Sequence, residues 1–244
     1  MTLSISAYWQ SPPNDATLLL QQYQYAHTQL ALICLCAGYN ESSGKAGAYL
    51  TGQLLQWFRR LPWKKLVKDP EYQLFRIASQ FNNTIERIDD ELISGGLLPT
   101  NMQIDLTGIL CVGEYFLLFH RGEQKIFMLN RNLTRGYISP FDISPESGSF
   151  AAWEESDRFD SQENTLILQQ GMIQRDAGIL LATDSLCKHV TLKEMGECLN
   201  VTELFTETQA DRHLQELGRQ GEALGGRNMG AVLLLAREKR EKNF

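Results

Sequence analysis

Hydrophobic residues recur along the chain with two different spacings. Continuous or alternating apolar runs predict strands, whereas apolar positions three and four residues apart predict amphipathic helices. The predicted strands are residues 3–9, 16–21, 28–37, 103–112, 114–120, 124–130, 165–170, 178–183 and 232–235, and the predicted helices are residues 45–60, 71–94, 191–199 and 207–223. Short turns between the strands of the 103–130 region predict an antiparallel meander there.

The order of these elements favours one class of architecture. Helices follow one another in pairs between blocks of strands, which is typical of antiparallel sheets with helices on their outer faces. We therefore predict an α+β fold. Because no stretch has the composition of a linker and no segment repeats, we predict one domain over residues 1–244, with residues 236–244 as a charged tail. The polar segment 139–163 is predicted to be an ordered surface loop.

Composition narrows the classes of partner. The net charge at pH 7 is −6, and phosphate binding needs a basic surface, so we expect no nucleic acid partner. No apolar run approaches the roughly 18 residues of a membrane span, and the N-terminus lacks the pattern of an export signal. We therefore expect no membrane partner and a cytoplasmic location. The five cysteines are irregularly spaced, which argues against a disulfide framework and favours core packing of Cys34 and Cys36.

The loop after the predicted strand 28–37 is the first candidate site. Gly38, Gly44, Lys45 and Ala46 approximate a P-loop, in which backbone amides wrap phosphates, a lysine reaches them and a hydroxyl group holds magnesium. Here the spacing is one residue too long, and Ala46 replaces the hydroxyl-bearing residue. The interpretation we favour least is therefore that the chain has a P-loop fold, or another fold unrelated to the one predicted above, and binds a nucleotide or another small molecule.

Two aspartates are further candidates. Asp184 ends an apolar strand, where a carboxylate can meet a ligand or a metal, and Asp15 lies in a Pro-Pro-Asn-Asp turn. Each also has a simpler structural explanation, as a helix cap or a turn residue. The four histidines are scattered, and none has a partner at metal-ligand spacing.

Three segments, in chain order, carry a resemblance to a known family. The apolar strand ending in Ala37-Gly38-Tyr39-Asn40 is similar to one that ends in Asp-Gly-x-Gly-Gly. Residues 171–186 end in Ala-Thr-Asp-Ser-Leu, similar to the pattern [ACS]-[ST]-D-G-[IL], and residues 226–234 are similar to D-N-[IM]-[TS]-[AV]-V-V-V. Together with weaker similarities at 13–16 and 106–125, they resemble the type 2C metal-dependent protein phosphatases, the PPM family.

This resemblance implies a fold and a chemistry. The family fold is a four-layer α/β/β/α sandwich of two antiparallel sheets flanked by helix pairs, in agreement with the grouping of the predicted elements. In the family, two divalent ions, Mn or Mg, lie at one end of the sheets and activate a bridging water molecule. That water attacks the phosphorus of phosphoserine or phosphothreonine.

At its key positions the chain departs from the family pattern. The aspartate that bridges the two ions corresponds to Ala37, and the late aspartate corresponds to Arg227. The early phosphate-binding arginine of the family aligns with Gln10. Loss of anionic oxygen ligands weakens the binding of Mg and Mn, and a guanidinium introduces a permanent cation. The residual metal-ligand candidates are Asp184, Asp15 and the backbone of Gly38, which we judge insufficient.

We therefore expect a catalytically degenerate phosphatase 2C-like protein, a pseudophosphatase. It would need no cofactor and would act in signalling by binding a protein partner such as a kinase or a phosphoprotein. The partner's identity, the role of the acidic segment 142–163 and the oligomeric state stay open. A further hypothesis is that the Arg227 guanidinium pairs with Asp184, and also with Asp15, so that Arg227→Asp would weaken the fold unless metal is supplied.

The alternative is a divergent but active metal-dependent Ser/Thr phosphatase. In that case Asp184, Asp15 and Glu123, with Asp105 or Asp176 nearby, would assemble a displaced site for two Mn or Mg ions.

Overall fold

The computed structural model describes residues 2–10, 16–37, 41–100, 102–131, 136–140, 150–151, 165–175, 177–199, 209–227 and 229–237. The strands are β1 Thr2–Trp9, β2 Ala16–Tyr25, β3 Thr28–Ala37, β4 Asp105–Val112, β5 Tyr115–Arg121, β6 Lys125–Arg131, β7 Gly136–Pro140, β8 Phe150–Ala151, β9 Ile167–Met172, β10 Ala177–Ala182 and β11 Gly230–Arg237. The helices are α1 Glu41–Arg59, α2 Trp63–Lys68, α3 Pro70–Ser94, α4 Asp184–His189, α5 Leu192–Leu199 and α6 Ala210–Ala223.

The chain divides into two compact units. Unit 1 comprises Met1–Ser11, Lys125–Phe141 and Met172–Phe244. Its sheet has the strand order β1-β11-β10-β6-β7, and each pair of neighbouring strands is antiparallel. The strands β10 and β11 are buried over their whole length, which explains their nearly continuous apolar sequences. Helix α6 packs against α5 and covers β1 and β11, and a separate apolar core lies between these helices and the sheet.

Unit 2 comprises Pro12–Gln124 and Asp142–Gly171. Its sheet has the strand order β2-β3-β4-β5-β9-β8, and β3 pairs antiparallel with β2 over its full length and with β4 from Leu30 to Ala37. Helix α1 packs on β2 and β3, and α3 packs on β5. The side chains that α3 buries in the core of this unit repeat at three- and four-residue intervals: Leu74, Ala78, Phe81, Ile85, Ile88 and Leu92.

The capping groups of α3 explain its bounds. Asp69 accepts a hydrogen bond from the backbone N–H of Tyr72 at 3.4 Å, and Pro70 occupies the first helical position, where a missing N–H costs nothing. At the other end, Gly96 has a φ of +68°, a conformation that glycine adopts without a steric penalty. The predicted helix 71–94 is therefore confirmed to within one residue at its start.

The predicted α+β fold of antiparallel sheets with helices is confirmed, but the predicted meander is wrong at its third strand. Strands β4 and β5 pair antiparallel as expected, whereas β6 pairs with β10 and β7 in the other sheet. The pattern of apolar positions that predicted β6 is local, and it does not encode the strand with which β6 pairs. The prediction of a single domain stays a prediction.

Smaller differences concern element ends and short helices. The two six-residue helices α2 and α4 were not predicted, because they are too short to show a helical period. Ala236 and Arg237, assigned to the charged tail, are the last residues of β11 and are buried by its neighbours. The rest of that tail, and most of segment 139–163, lie outside the described residues.

Two predictions from composition can be compared with the structure. All five cysteines are free thiols, and Cys34 and Cys36 are buried in the apolar interior, as predicted for core packing; Cys111 is buried there as well. Burial raises the pKa of Cys36 to about 12, with smaller opposing effects of Arg121 and Asp105, so the thiolate form is disfavoured at neutral pH. No helix in the described ranges is long and apolar enough to cross a bilayer.

Candidate functional site

In unit 2, the strand end that would carry the bridging aspartate is at Ala37. This residue is the last of β3, and its backbone lies opposite Ala16 on β2 and Asp105 on β4. The strand is held on both sides, so position 37 is fixed by the sheet even though no carboxylate is present there. Asp15 and Gly38, the other candidates near this strand end, lie outside the described residues.

Asp105 places a carboxylate one strand away from position 37. Its Oδ2 accepts a hydrogen bond from the backbone N–H of Glu123 at 3.2 Å, which ties the start of β4 to the turn after β5. Gly122 in that turn has a φ of +103°, and a Cβ there would lie 2.0 Å from Asp105 Oδ1. The close approach of this carboxylate therefore requires glycine at position 122.

Asp184 lies in unit 1, at the junction of β10 and α4, as its sequence position predicted. It is the first residue of α4, where the positive end of the helix dipole favours a carboxylate. Its side chain forms an ion pair with Lys188, one helical turn further on. The preceding residue, Thr183, fixes this junction because its hydroxyl group accepts a hydrogen bond from the N–H of Gly230 at 3.0 Å.

Arg227 lies in the connection between α6 and β11, and its side chain is exposed. Its backbone carbonyl accepts a hydrogen bond from Ser185 Oγ, which brings the connection next to the start of α4. The hypothesis that Arg227 pairs with Asp184 is wrong. Lys188 is the partner of Asp184, since residues four apart on a helix are neighbours and the lysine needs no tertiary contact to reach the carboxylate.

Gln10 directly follows β1 and is anchored to the start of β11. Its N–H donates to the carbonyl of Met229 at 2.9 Å, and its Oε1 accepts a hydrogen bond from the N–H of Met229 at 3.4 Å. The backbone N–H and the side-chain carbonyl of Gln10 together therefore extend the β1–β11 pairing by one residue. A neutral side chain at this position cannot provide the bidentate phosphate contact of an arginine.

A cleft of about 550 Å³ in unit 1 contains two of the altered positions. It is lined by Tyr8, Trp9, Gln10, Glu222, Gly225, Gly226 and Arg227. The Tyr8 hydroxyl donates to Glu222 Oε1 at 2.5 Å, and burial together with this carboxylate raises the pKa of Tyr8. Asp184 is not among the lining residues.

Two glycines set the shape of this cleft. A Cβ at Gly218 would lie 2.2 Å from the Tyr8 ring, and a Cβ at Gly230 would lie 2.1 Å from the Trp9 ring. Both rings therefore pack directly on backbone, which fixes the two aromatic walls. Nothing in the sequence patterns pointed to Tyr8, Trp9 or Glu222. The spacing of Asp184 and Lys188, in contrast, is a recognisable helical ion-pair signal.

The described residues do not fit a two-metal centre. Such a centre brings two cations about 3.5–4 Å apart and needs several anionic oxygen ligands around them. Within the described ranges, no three His, Cys, Asp or Glu side chains are grouped as a metal site. Position 37 has no ligand atom in its side chain, position 227 carries a cation, and Asp184 is paired with an ammonium group.

Comparisons with known proteins identify the fold. No family model and no curated protein matches the sequence. The Mycobacterium tuberculosis serine/threonine phosphatase PstP/Ppp is similar in structure over 98% of this chain and 100% of its own, with a TM-score of 0.62 and 16% identity. The S. agalactiae serine/threonine phosphatase matches over 97% of this chain and 100% of its own, with a TM-score of 0.61 and 15% identity.

A third solved structure is the catalytic domain of PstP in complex with two manganese ions. It covers 95% of this chain and 96% of its own, with a TM-score of 0.59 and 15% identity. At such identities the similarity shows the fold and does not carry the activity across. In fold, this chain resembles the type 2C serine/threonine phosphatases, as the sequence motifs predicted.

Proposed function

We propose that this protein is a catalytically degenerate phosphatase 2C-like protein that acts in signalling by binding a protein or phosphoprotein partner. One observation carries the proposal: Ala37 and Arg227 supply no carboxylate at two of the ligand positions that the family resemblance implies, and the carboxylate at Asp184 forms an ion pair with Lys188. The fold of a metal-dependent phosphatase is thus combined with a depleted set of metal ligands.

The physical argument rests on the preferences of the ions. Mg and Mn bind through hard oxygen ligands, and anionic ligands offset the repulsion between two adjacent cations. Replacing one carboxylate by a methyl group removes a ligand, and replacing another by a guanidinium adds repulsion. Without tightly bound ions, the family chemistry has no means of generating a hydroxide nucleophile at neutral pH.

A hydrolysis assay tests the proposal. Purified protein would be incubated with p-nitrophenyl phosphate in the presence of manganese, alongside an Asp184→Asn variant. We expect no manganese-dependent turnover in the wild-type protein beyond that of the variant. Metal-dependent turnover that disappears in Asp184→Asn would overturn the proposal.

An active, divergent phosphatase is the second candidate, and the β4 strand end favours it. Asp105 lies opposite Ala37, and its carboxylate contacts the backbone of Glu123. The next residue, Gln124, is buried, and neither polar atom of its amide has a hydrogen-bond partner among the described residues. If a displaced site uses these oxygens, manganese-dependent turnover would be present and would be lost in Asp105→Asn.

A further inference from the structure

The segment from the end of α1 to the end of α2 is positively charged, although the protein as a whole is acidic. Residues 59–68 contain five basic and no acidic residues, and these five form what we call the basic patch: Arg59, Arg60, Lys64, Lys65 and Lys68. The remainder of the chain has 18 basic and 29 acidic residues. The basic patch is therefore a local feature and does not follow from the overall composition.

The local structure directs all five cations outward. Their side chains are exposed, whereas Leu61 and Leu66 from the same segment are buried in the core of unit 2. Trp63 packs edge-on against Phe58, with ring centroids 4.6 Å apart. The apolar residues thus anchor the segment, and the basic side chains are presented on a fixed backbone.

None of the five cations has an acidic partner among the described residues. Other basic side chains do have one: Arg87 pairs with Glu91, Arg121 with Asp89 and Lys188 with Asp184. Favourable interaction with a helix C-terminus explains the cations in the last turns, which are Arg59 on α1 and Lys65 and Lys68 on α2. It does not explain Arg60 and Lys64.

The arrangement of the charges in the basic patch favours some classes of anionic ligand over others. Its charges are spread along ten residues, and no cavity among those described is lined by them, which suits a ligand with several separated charges better than a single phosphate. Leu61 and Leu66, the leucines of this segment, are buried in the core of unit 2 and cannot enter a bilayer, which favours a protein partner over a membrane. A nucleic acid is disfavoured because a long polyanion would extend from the basic patch over a protein of net charge −6.

We propose that the basic patch is the docking surface for a short acidic segment of a partner protein. The inference rests on the proposed function, because it locates the surface through which a non-catalytic phosphatase 2C-like protein binds its partner. Complementary charge supplies the attraction and accelerates association, so binding depends on ionic strength. The aromatic and aliphatic anchors of the segment are already ordered, so docking does not require folding of the surface.

A peptide-binding experiment tests this inference on the intact 244-residue chain. The probe is a fluorescein-labelled peptide of ten glutamates, followed by fluorescence anisotropy at about 20 mM and about 200 mM salt. The test variant is Lys64→Glu/Lys65→Glu. The matched control is Lys193→Glu/Arg212→Glu, which changes the net charge equally at exposed positions in unit 1.

We expect the wild-type protein to bind the peptide at low salt, with affinity at least tenfold lower in the test variant and nearly unchanged in the control. Absence of binding, or an equal loss in both variants, would overturn the inference. Parallel titrations use vesicles containing phosphatidylserine and a short DNA duplex. Tighter binding of either probe through Lys64 and Lys65 would also overturn it, since the occupant would then be a membrane or a nucleic acid.

The experiment separates this inference from the proposed function. Manganese-dependent hydrolysis would contradict the proposed function whatever the peptide result, and it is measured without the peptide. A protein that is inactive and also does not bind the peptide would retain the proposed function and refute only this docking surface.

Discussion

Two ion pairs, one in each unit, differ in how far they are removed from water. In unit 2, Arg121 is 4% exposed and holds Asp89 with two hydrogen bonds, at 2.5 and 3.1 Å, while its Nε donates to the carbonyl of Ile104. In unit 1, the Lys188 side chain that pairs with Asp184 is 65% exposed. The first pair is enclosed and fully satisfied, and the second is a surface contact.

This difference shows which polar groups maintain the fold. A buried pair leaves an uncompensated charge when one partner is removed, whereas an exposed pair is largely replaced by water. The Asp184–Lys188 pair is of the second kind, so we expect its residues to be replaceable with little cost to the stability of unit 1.

Removal of the buried Arg121 guanidinium is expected to cause the largest loss of stability. Arg121→Ala leaves Asp89 without its partner and the Ile104 carbonyl without its donor, and should lower the free energy of unfolding by about 3–5 kcal/mol. Urea denaturation followed by circular dichroism measures this change. A loss below about 1 kcal/mol, which is typical of exposed pairs, would contradict the distinction between the two pairs.

Crowding the aromatic wall of the cleft is expected to have the next largest effect. A Cβ at Gly230 would lie 2.1 Å from the Trp9 ring, so Gly230→Ala should destabilise the protein by about 1–3 kcal/mol through overpacking. The matched control is Gly52→Ala on α1, where nothing lies within 4 Å of the new Cβ. There the higher helix propensity of alanine should stabilise by up to about 1 kcal/mol, and both variants would be compared by urea denaturation.

The exposed Asp184–Lys188 pair is expected to contribute little to the free energy of unfolding. Lys188→Ala should change the free energy of unfolding by less than about 1 kcal/mol, because the lysine is largely exposed and a surface ion pair is screened by salt. Thermal unfolding at low and high ionic strength measures this contribution. If the variant loses as much stability as Arg121→Ala, the pair is not the surface contact described above.

The smallest effect is expected for Arg227→Asp. The Arg227 side chain is exposed and forms no ion pair with Asp184, so stability should change by about 0.5 kcal/mol or less, with chelator or with manganese. Thermal unfolding in both conditions provides the measurement. A large loss in chelator that manganese reverses would instead support the pairing that the sequence suggested.

Much of the fold could be predicted because its strongest signals are local. The apolar period of α3 follows from burial of one helix face, and the continuous apolar runs of β3 and β11 follow from burial of successive residues on both faces of the strand. The partner of β6 could not be predicted in this way. Its pairing with β10 joins residues that are far apart in sequence, and the apolar run at the centre of β6 fits a strand in either sheet.

The candidate site was predictable only in part, for a related reason. Asp184 was correctly placed at a strand end because the strand and the carboxylate are adjacent in sequence. Its pairing with Lys188 follows from helical spacing, but α4 is too short to be recognised as a helix from its apolar pattern. The cleft around Tyr8 and Trp9 depends on contacts with Gly218 and Gly230, which no local pattern reveals.

The central claim, that the retained ligands do not hold a metal pair, is tested most directly by thermal unfolding with manganese and with chelator. A ligand that binds only the native state raises its stability in proportion to the logarithm of the ratio of ligand concentration to Kd. With manganese at about 1 mM, tight binding of the kind a catalytic centre needs would raise the stability by several kcal/mol. We predict the same unfolding temperature in both conditions for the wild-type protein. A clear rise with manganese that is abolished in Asp184→Asn would contradict the account.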